Sequence, residues 1–331
     1  LQLRAVEQQD VGEGAAPHRA HGLDRHQLAH VRRVRVELCA MNKWVAGARP
    51  RTLPAAVVPV AVGTATAVGR VDGGLIWWRA GAALVVAVAI QVATNYANDY
   101  SDGVKGTDNE TRVGPMRLVG SGAASPGAVK RAAFLAFGVA AIAGLALTVA
   151  VGPILLVVGA ASFAAGWFYT GGPRPYGYAG LGEVFVFVFF GLVATIGSAY
   201  VQTESLFWLA VGCAVPVGFL ATALLVVNNL RDIPTDAESG KITLAVRMGD
   251  LRTRWFYVGL LIGAFLCLIP IAGLAAIGAA FAFIGIPFAR KPVEKVLGGA
   301  TGPALIPVLG ATGRVQMIFG ALLTLGLALS L

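Results

Sequence analysis

From residue 41 onward the chain alternates long apolar runs with short polar breaks. Nine runs can be drawn, at roughly 51–69, 79–100, 129–151, 153–170, 182–202, 205–229, 253–272, 273–289 and 313–331. At about 18–25 residues, such runs have the length of a helix crossing the hydrocarbon of a bilayer. The pattern predicts an all-α, polytopic membrane bundle of about nine transmembrane helices. Gly152-Pro153 joins the third run to the fourth, and Gly273 the seventh to the eighth, so both connections are expected to be tight hairpins.

Composition agrees: 56% of the 331 residues are hydrophobic and 13% charged, with 43 glycines, whereas a soluble domain is about 25% charged. The net charge of +9 is therefore not a sign of nucleic-acid binding. Of the Lys and Arg residues after residue 40, only Arg70 and Arg79 fall on one side of the predicted membrane; all the others fall on the other side, which the positive-inside rule makes cytoplasmic. The C-terminus is then expected on the far side.

Residues 1–40 do not share this pattern. They are polar, rich in Arg, and carry all four histidines (His18, His21, His26 and His30). Met41-Asn-Lys-Trp reads as a natural start. The expectation is a non-native or disordered extension over 1–40 and one membrane domain over 41–331; the alternative is a basic cytoplasmic tail. The body of the protein has no histidine, which excludes a histidine base or histidine-ligated metal there. Cys39, Cys213 and Cys267 form no motif.

Two polar stretches stand out. Asn95-Tyr-Ala-Asn-Asp-Tyr-Ser-Asp-Gly-Val-Lys-Gly-Thr-Asp108 ends the second run. Asn95, Asn98, Asp99 and Asp102 are spaced i, i+3, i+4, i+7 and share a helix face, with Asp108 within reach on a loop. Asn228-Asn-Leu-Arg-Asp-Ile-Pro-Thr-Asp236 ends the sixth run, with Asp232 and Asp236 as a D-x-x-x-D pair. Four runs separate the two stretches, which suggests two similar four-helix halves plus one helix, with both acidic faces meeting over a cytoplasmic cavity. All-oxygen, carboxylate-rich clusters suit Mg²⁺, which also takes phosphate oxygens. Lys105, Arg117, Lys241 and Arg247 are placed to clamp a diphosphate. The plainer readings are solvated helix ends and positive-inside topology.

A diphosphate at a membrane surface points to a lipid tail. An allylic lipid diphosphate that loses its diphosphate leaves a carbocation, which needs a water-poor, π-rich cavity. Tyr96 and Tyr100 on the motif helix are better candidates for such a wall than Trp167, Phe168, Tyr169, Phe185, Phe187, Phe189 and Phe190, which read mainly as packing or lipid-facing residues.

These motifs resemble those of the UbiA superfamily of intramembrane aromatic prenyltransferases. Together with Gly240-Lys-Ile-Thr-Leu-Ala-Val-Arg-Met-Gly249 and Ala48-Arg-Pro-Arg-Thr-Leu-Pro54, the wording is similar to the branch acting on 1,4-dihydroxy-2-naphthoate in menaquinone synthesis. The resemblance implies that Asp102, Asp232 and Asp236 bind Mg²⁺, with Asp99 in support. Asp108 would be a further ligand, although it falls two residues later than in the superfamily's N-x-x-x-D-x-x-x-D pattern. Asn98 would sit on the diphosphate or the metal, and Lys241 and Arg247 would hold the diphosphate; Asn228 and Tyr100, beside these on the motif helices, are further candidates for substrate contact. The loop after the fourth run has Tyr169, Arg174, Tyr176 and Tyr178 but no Lys, and its role stays open. The implied substrates are a polyprenyl diphosphate and 1,4-dihydroxy-2-naphthoate in a lipid membrane. Attack by the ring carbon bearing the carboxylate, with loss of CO₂ and a proton, would give demethylmenaquinone. The rivals are a superfamily member with another aromatic acceptor, a cation-coupled transporter, and an alcohol phosphotransferase. The acids at helix ends rather than at mid-membrane disfavour the transporter, and the phosphotransferase's D-G-x-x-A-R signature is missing.

Overall fold

The computed structural model describes residues 42–107 and 117–331. Among them there is no strand. Helices α1 (Lys43–Ala48), α2 (Pro54–Ala65), α3 (Trp77–Val104), α4 (Pro126–Val151) and α5 (Ile154–Phe168) are followed by α6 (Gly182–Thr203) and α7 (Trp208–Glu238). Then come α8 (Leu244–Met248), α9 (Asp250–Leu274), a 3-10 segment Ile277–Gly285, α10 (Ile286–Leu297) and α11 (Gly302–Ser330).

Six of these, α3, α4, α6, α7, α9 and α11, are long and apolar enough to cross a membrane. The expected count of nine is thus not met in full-length helices among the described residues. The first and fourth runs form the 12-residue α2 and the 15-residue α5. The eighth falls largely on the 3-10 segment. Hydropathy registers all three, but it does not distinguish a full α-helix from a shorter or tighter one.

Local signals set the helix ends. Ser125 caps α4 by accepting from the Ala128 N–H, with Pro126 at the first helical position. Gly152, at φ 146, makes the break before Pro153 and α5, as the sequence leads one to expect. Within α6, Phe187–Val193 is π-helical, a local widening often found near functional sites.

α7 is the axis of the bundle. Most of its apolar length is buried, and it packs against α2, α6, α9 and α11. In lipid, close packing and hydrogen bonds rather than apolar burial drive helix association, so contacts use small residues. The Gly278 and Gly326 backbones meet so closely that a Cβ at either would strike the other's carbonyl oxygen. At the end away from the acidic motifs, the Arg79 guanidinium donates to Val201 O (2.9 Å), Ala150 O (3.2 Å) and Glu204 Oε1 (2.9 Å). Arg79 therefore ties together the ends of α3, α4 and α6.

Candidate active site

Helices α3 and α7 carry their acidic motifs to the same end of the bundle. Asp102 on the last turn of α3 and Asp236 on the last turns of α7 are both buried, at 2% and 4% exposure. Between them lies the Lys241 ammonium, 3.7 Å from Asp102 Oδ2 and 3.8 Å from Asp236 Oδ1. Lys241 reaches this point because α7 ends at Glu238, because Gly240 in the following turn, at φ +74, reverses the chain, and because the Lys241 N–H donates to Asp236 O at 2.8 Å. Two acidic helix tips 134 residues apart in sequence thus share one cation.

The loop after α5 closes over this cluster. The Tyr178 hydroxyl donates to Asp102 Oδ1 (2.9 Å) and lies 2.9 Å from Thr107 Oγ1. Its ring is flanked by the ammonium groups of Lys105, at 4.8 Å from the ring centroid, and Lys241, at 5.5 Å. Lys105 donates to the carbonyls of Thr170 (2.7 Å) and Gly172 (3.4 Å). Partial burial lowers its pKa below the usual lysine value, opposed by nearby Asp102 and reinforced by Lys241. Thr170 donates to Asn98 Oδ1 at 2.9 Å, which fixes that amide. Arg247 on α8 lies beside Gly180. A Cβ there would come within 3.0 Å of Arg247 Nε, and the backbone φ of +74 also calls for glycine.

The other candidates are placed differently. Asp99 is fully buried, and its two oxygens accept the backbone N–H groups of Leu118 (2.8 Å) and Val119 (3.1 Å). It therefore anchors the backbone at Leu118 and Val119. Asp232 is held by a bidentate pair with Arg231, at 2.7 Å to each oxygen, and Arg231 also donates to Asn228 Oδ1 at 2.8 Å. Asn95 donates to Ala48 O (2.9 Å) and Thr52 Oγ1 (3.2 Å), fastening the Ala48–Pro54 motif to α3. Tyr96 donates to Trp44 O at 2.7 Å, and Tyr100 stacks on Trp167 at 6.3 Å with Lys130 over its ring. Neither tyrosine is brought to the Asp102–Lys241–Asp236 cluster. Asp108 lies outside the described residues.

Sequence reasoning missed several groups. Arg231 lay within the second motif, but its bond to the adjacent aspartate has no spacing signature. Tyr178 and Thr170 lie in the loop whose role stayed open. Glu183 opens α6 and accepts from Asn229 Nδ2 at 2.9 Å, forming a polar pair deeper in the bundle. Asn229, Asp232 and Asp236 are spaced i, i+3, i+7, which would have put Asn229 on the acidic face.

The donor set can be tested against Mg²⁺. The cluster is all-oxygen apart from its lysine, and that ammonium already occupies a cation position between two carboxylates. Among the described residues no three carboxylate, His or Cys side chains form a cage by themselves. That is compatible with Mg²⁺, which keeps waters and is commonly held by one or two carboxylates plus substrate phosphates.

The fold and the cluster define the class: an all-α membrane bundle whose helix tips bring two buried aspartates to one lysine at the same end. The chain belongs to the UbiA prenyltransferase family, whose model matches residues 56–293. A Mycobacterium tuberculosis protein named 1,4-dihydroxy-2-naphthoate octaprenyltransferase is 48% identical over 85% of this chain and 95% of its own length. The Escherichia coli protein of the same name is 36% identical over 89% of this chain and 97% of its own length. Among solved structures, a UbiA homolog from Aeropyrum pernix K1 aligns with a TM-score of 0.62 at 15% identity, over 83% of this chain and 96% of that one. One from Archaeoglobus fulgidus bound to GPP and Mg²⁺ aligns at 0.60 and 14% identity, over 87% of this chain and 99% of that one. At these identities the likeness establishes the fold.

Proposed function

We propose that this multi-pass membrane protein transfers a polyprenyl group from polyprenyl diphosphate to 1,4-dihydroxy-2-naphthoate in menaquinone biosynthesis, with Mg²⁺ as cofactor and with decarboxylation. The observation that carries the reading is the shared cation: both motif helices present a buried carboxylate to one ammonium. The names of relatives 48% and 36% identical over most of their lengths support the acceptor and the reaction. The Lys and Arg asymmetry supports a site facing the cytoplasm.

Asp102, Asp236 and Asp232 are the residues proposed to hold Mg²⁺, Asp232 after release from Arg231. The ion supplies charge neutralisation for the departing diphosphate when bound. Lys241, Lys105 and Arg247 are proposed to take the remaining phosphate oxygens as charge-assisted donors. Asn98, held by Thr170, and Tyr178, held by Asp102 and Thr107, orient the diphosphate end. Asp99 acts indirectly, by fixing the backbone at Leu118 and Val119. The bundle below the tips keeps water from the allylic centre. As the carbon–oxygen bond breaks, the naphthoate ring carbon bears the new bond and loses its carboxylate as CO₂. The electron pair left on the ring restores aromaticity, so the first product is demethylmenaquinone in its hydroquinone form.

Membranes supplied with dihydroxynaphthoate, a polyprenyl diphosphate and Mg²⁺ are expected to yield prenylated naphthoquinone and an equal amount of CO₂. Product without CO₂, or none with this acceptor while another aromatic acid is prenylated, would refute the acceptor. No prenylation of any aromatic would refute the reading altogether.

A further inference from the structure

A second concave site lies outside the cluster just described. It is a groove of about 500 Å³ lined by Trp44, Tyr96, Ala128, Arg131, Ala132 and Leu135, between α1, α3 and the first turns of α4. It lies at the motif-bearing end of the bundle, yet none of its lining residues belongs to the Asp102–Lys241–Asp236 cluster.

Its two ends differ in chemistry. At one end Arg131 is exposed. Lys43 is close by, its Nζ 5.8 Å from the Trp44 ring and 2.9 Å from Ala123 O. Among the described residues no acid lines the groove. Its walls are aromatic, Trp44 and Tyr96 meeting edge to face at 6.0 Å. At the other end Leu135, 72% exposed, begins a bare stripe on α4 that continues through Ile142 (74%) and Val149 (90%) at seven-residue spacing. In a bilayer that stripe must be covered by acyl chains, since nothing else in the chain covers it among the described residues. The groove is therefore continuous with a surface that lipid chains would cover in a bilayer. A half-buried tryptophan at its mouth is the usual residue of that depth.

We propose that this groove binds one anionic phospholipid. An acyl chain lies along Leu135 and the α4 stripe, and the phosphate sits at the Arg131 guanidinium with Lys43 beside it. A zwitterionic headgroup would bring a quaternary ammonium toward the positive charges of Arg131 and Lys43, which repel it, so the anionic class is favoured. Each basic residue near an anionic bilayer is worth about fivefold in binding. The bound lipid would also brace α1, which Tyr96 and Asn95 tie to the motif helix.

Native mass spectrometry of the full chain tests this, after incubation in detergent with equal amounts of phosphatidylglycerol and phosphatidylcholine of matched chains. The expected result is one retained phosphatidylglycerol, favoured at least about fivefold. Both Arg131→Gln and Ala132→Trp are expected to lose it, the first by removing the charge at an exposed position, the second by filling the groove. Equal retention of the two lipids, or retained preference in either variant, overturns the proposal. Displacement of the lipid by millimolar inorganic phosphate would show a free-anion site and overturns it too. So would an adduct that appears only when residues 1–40 are deleted, because the groove would then hold the chain's own segment.

Discussion

Replacing Lys241 by Met removes the cation between Asp102 and Asp236 while keeping most of the side-chain volume. At 3.7 and 3.8 Å and an effective dielectric of about 20, each pair has a gross Coulomb energy of about 4 kcal/mol. Desolvation of three groups exposed at 9% or less offsets much of that attraction. Removing one partner instead leaves two buried carboxylates facing each other, and breaking a buried pair in this way costs about 3–5 kcal/mol. For a chain of this size that corresponds to a fall of about 5–10 °C in apparent Tm. The assay is thermal unfolding in detergent by tryptophan fluorescence, with and without Mg²⁺. Mg²⁺ is expected to raise the Tm of Lys241→Met more than that of the unaltered protein, because a divalent cation replaces what was lost. Asp102→Asn added to Lys241→Met is expected to recover part of the stability. A Lys241→Met protein with unchanged Tm, or one indifferent to Mg²⁺, would refute the reasoning that one cation site joins the two motifs.

Other expectations separate the roles of neighbouring residues. Asp102→Ala and Asp232→Ala should each abolish prenylated product per unit of protein, measured by product formation normalised to an immunoblot of the membranes. Asp99→Asn loses one of two charge-assisted bonds to backbone N–H groups, worth about 1.5–3 kcal/mol. It should lower Tm but leave the Mg²⁺ concentration for half-maximal activity within about twofold of normal, since Asp99 faces the Leu118 and Val119 amides. Gly180→Ala places a Cβ against Arg247 in a left-handed conformation and should cost about 1 kcal/mol or more, with a raised KM for the polyprenyl diphosphate. Chelation of Mg²⁺ should stop turnover reversibly, and deletion of residues 1–40 should leave turnover unchanged in the same assay.

Much of the site was legible because helix spacing is local. The i, i+3, i+4, i+7 pattern correctly put Asn95, Asn98, Asp99 and Asp102 on one helix, but not the direction each side chain takes. Asn95 turns to the Ala48–Thr52 segment and Asp99 to the amides of Leu118 and Val119, and both partners are distant in sequence. Tyr178 reaches Asp102 across 76 residues, a contact that only the closure of the α5–α6 loop creates. Tyr100 was read as part of the site because it lies on the motif helix, yet that position turns it toward Trp167 on α5. The membrane-spanning character and the Gly152-Pro153 break were readable from hydropathy and glycine placement. The shortness of α2 and the 3-10 winding of Ile277–Gly285 were not. Both segments are as apolar as a full span, and their geometry follows from prolines, glycines and close backbone crossings such as Gly278 on Gly326.

The most direct test of the shared site is the binding of a non-hydrolysable polyprenyl thiodiphosphate to the purified protein as a function of Mg²⁺. If Asp102 and Asp236 serve one diphosphate, either alanine substitution alone should remove the Mg²⁺-dependent part of binding, and the double substitution should be no worse than the singles. Losses that simply add, or Mg²⁺-dependent binding that survives either substitution, would contradict it.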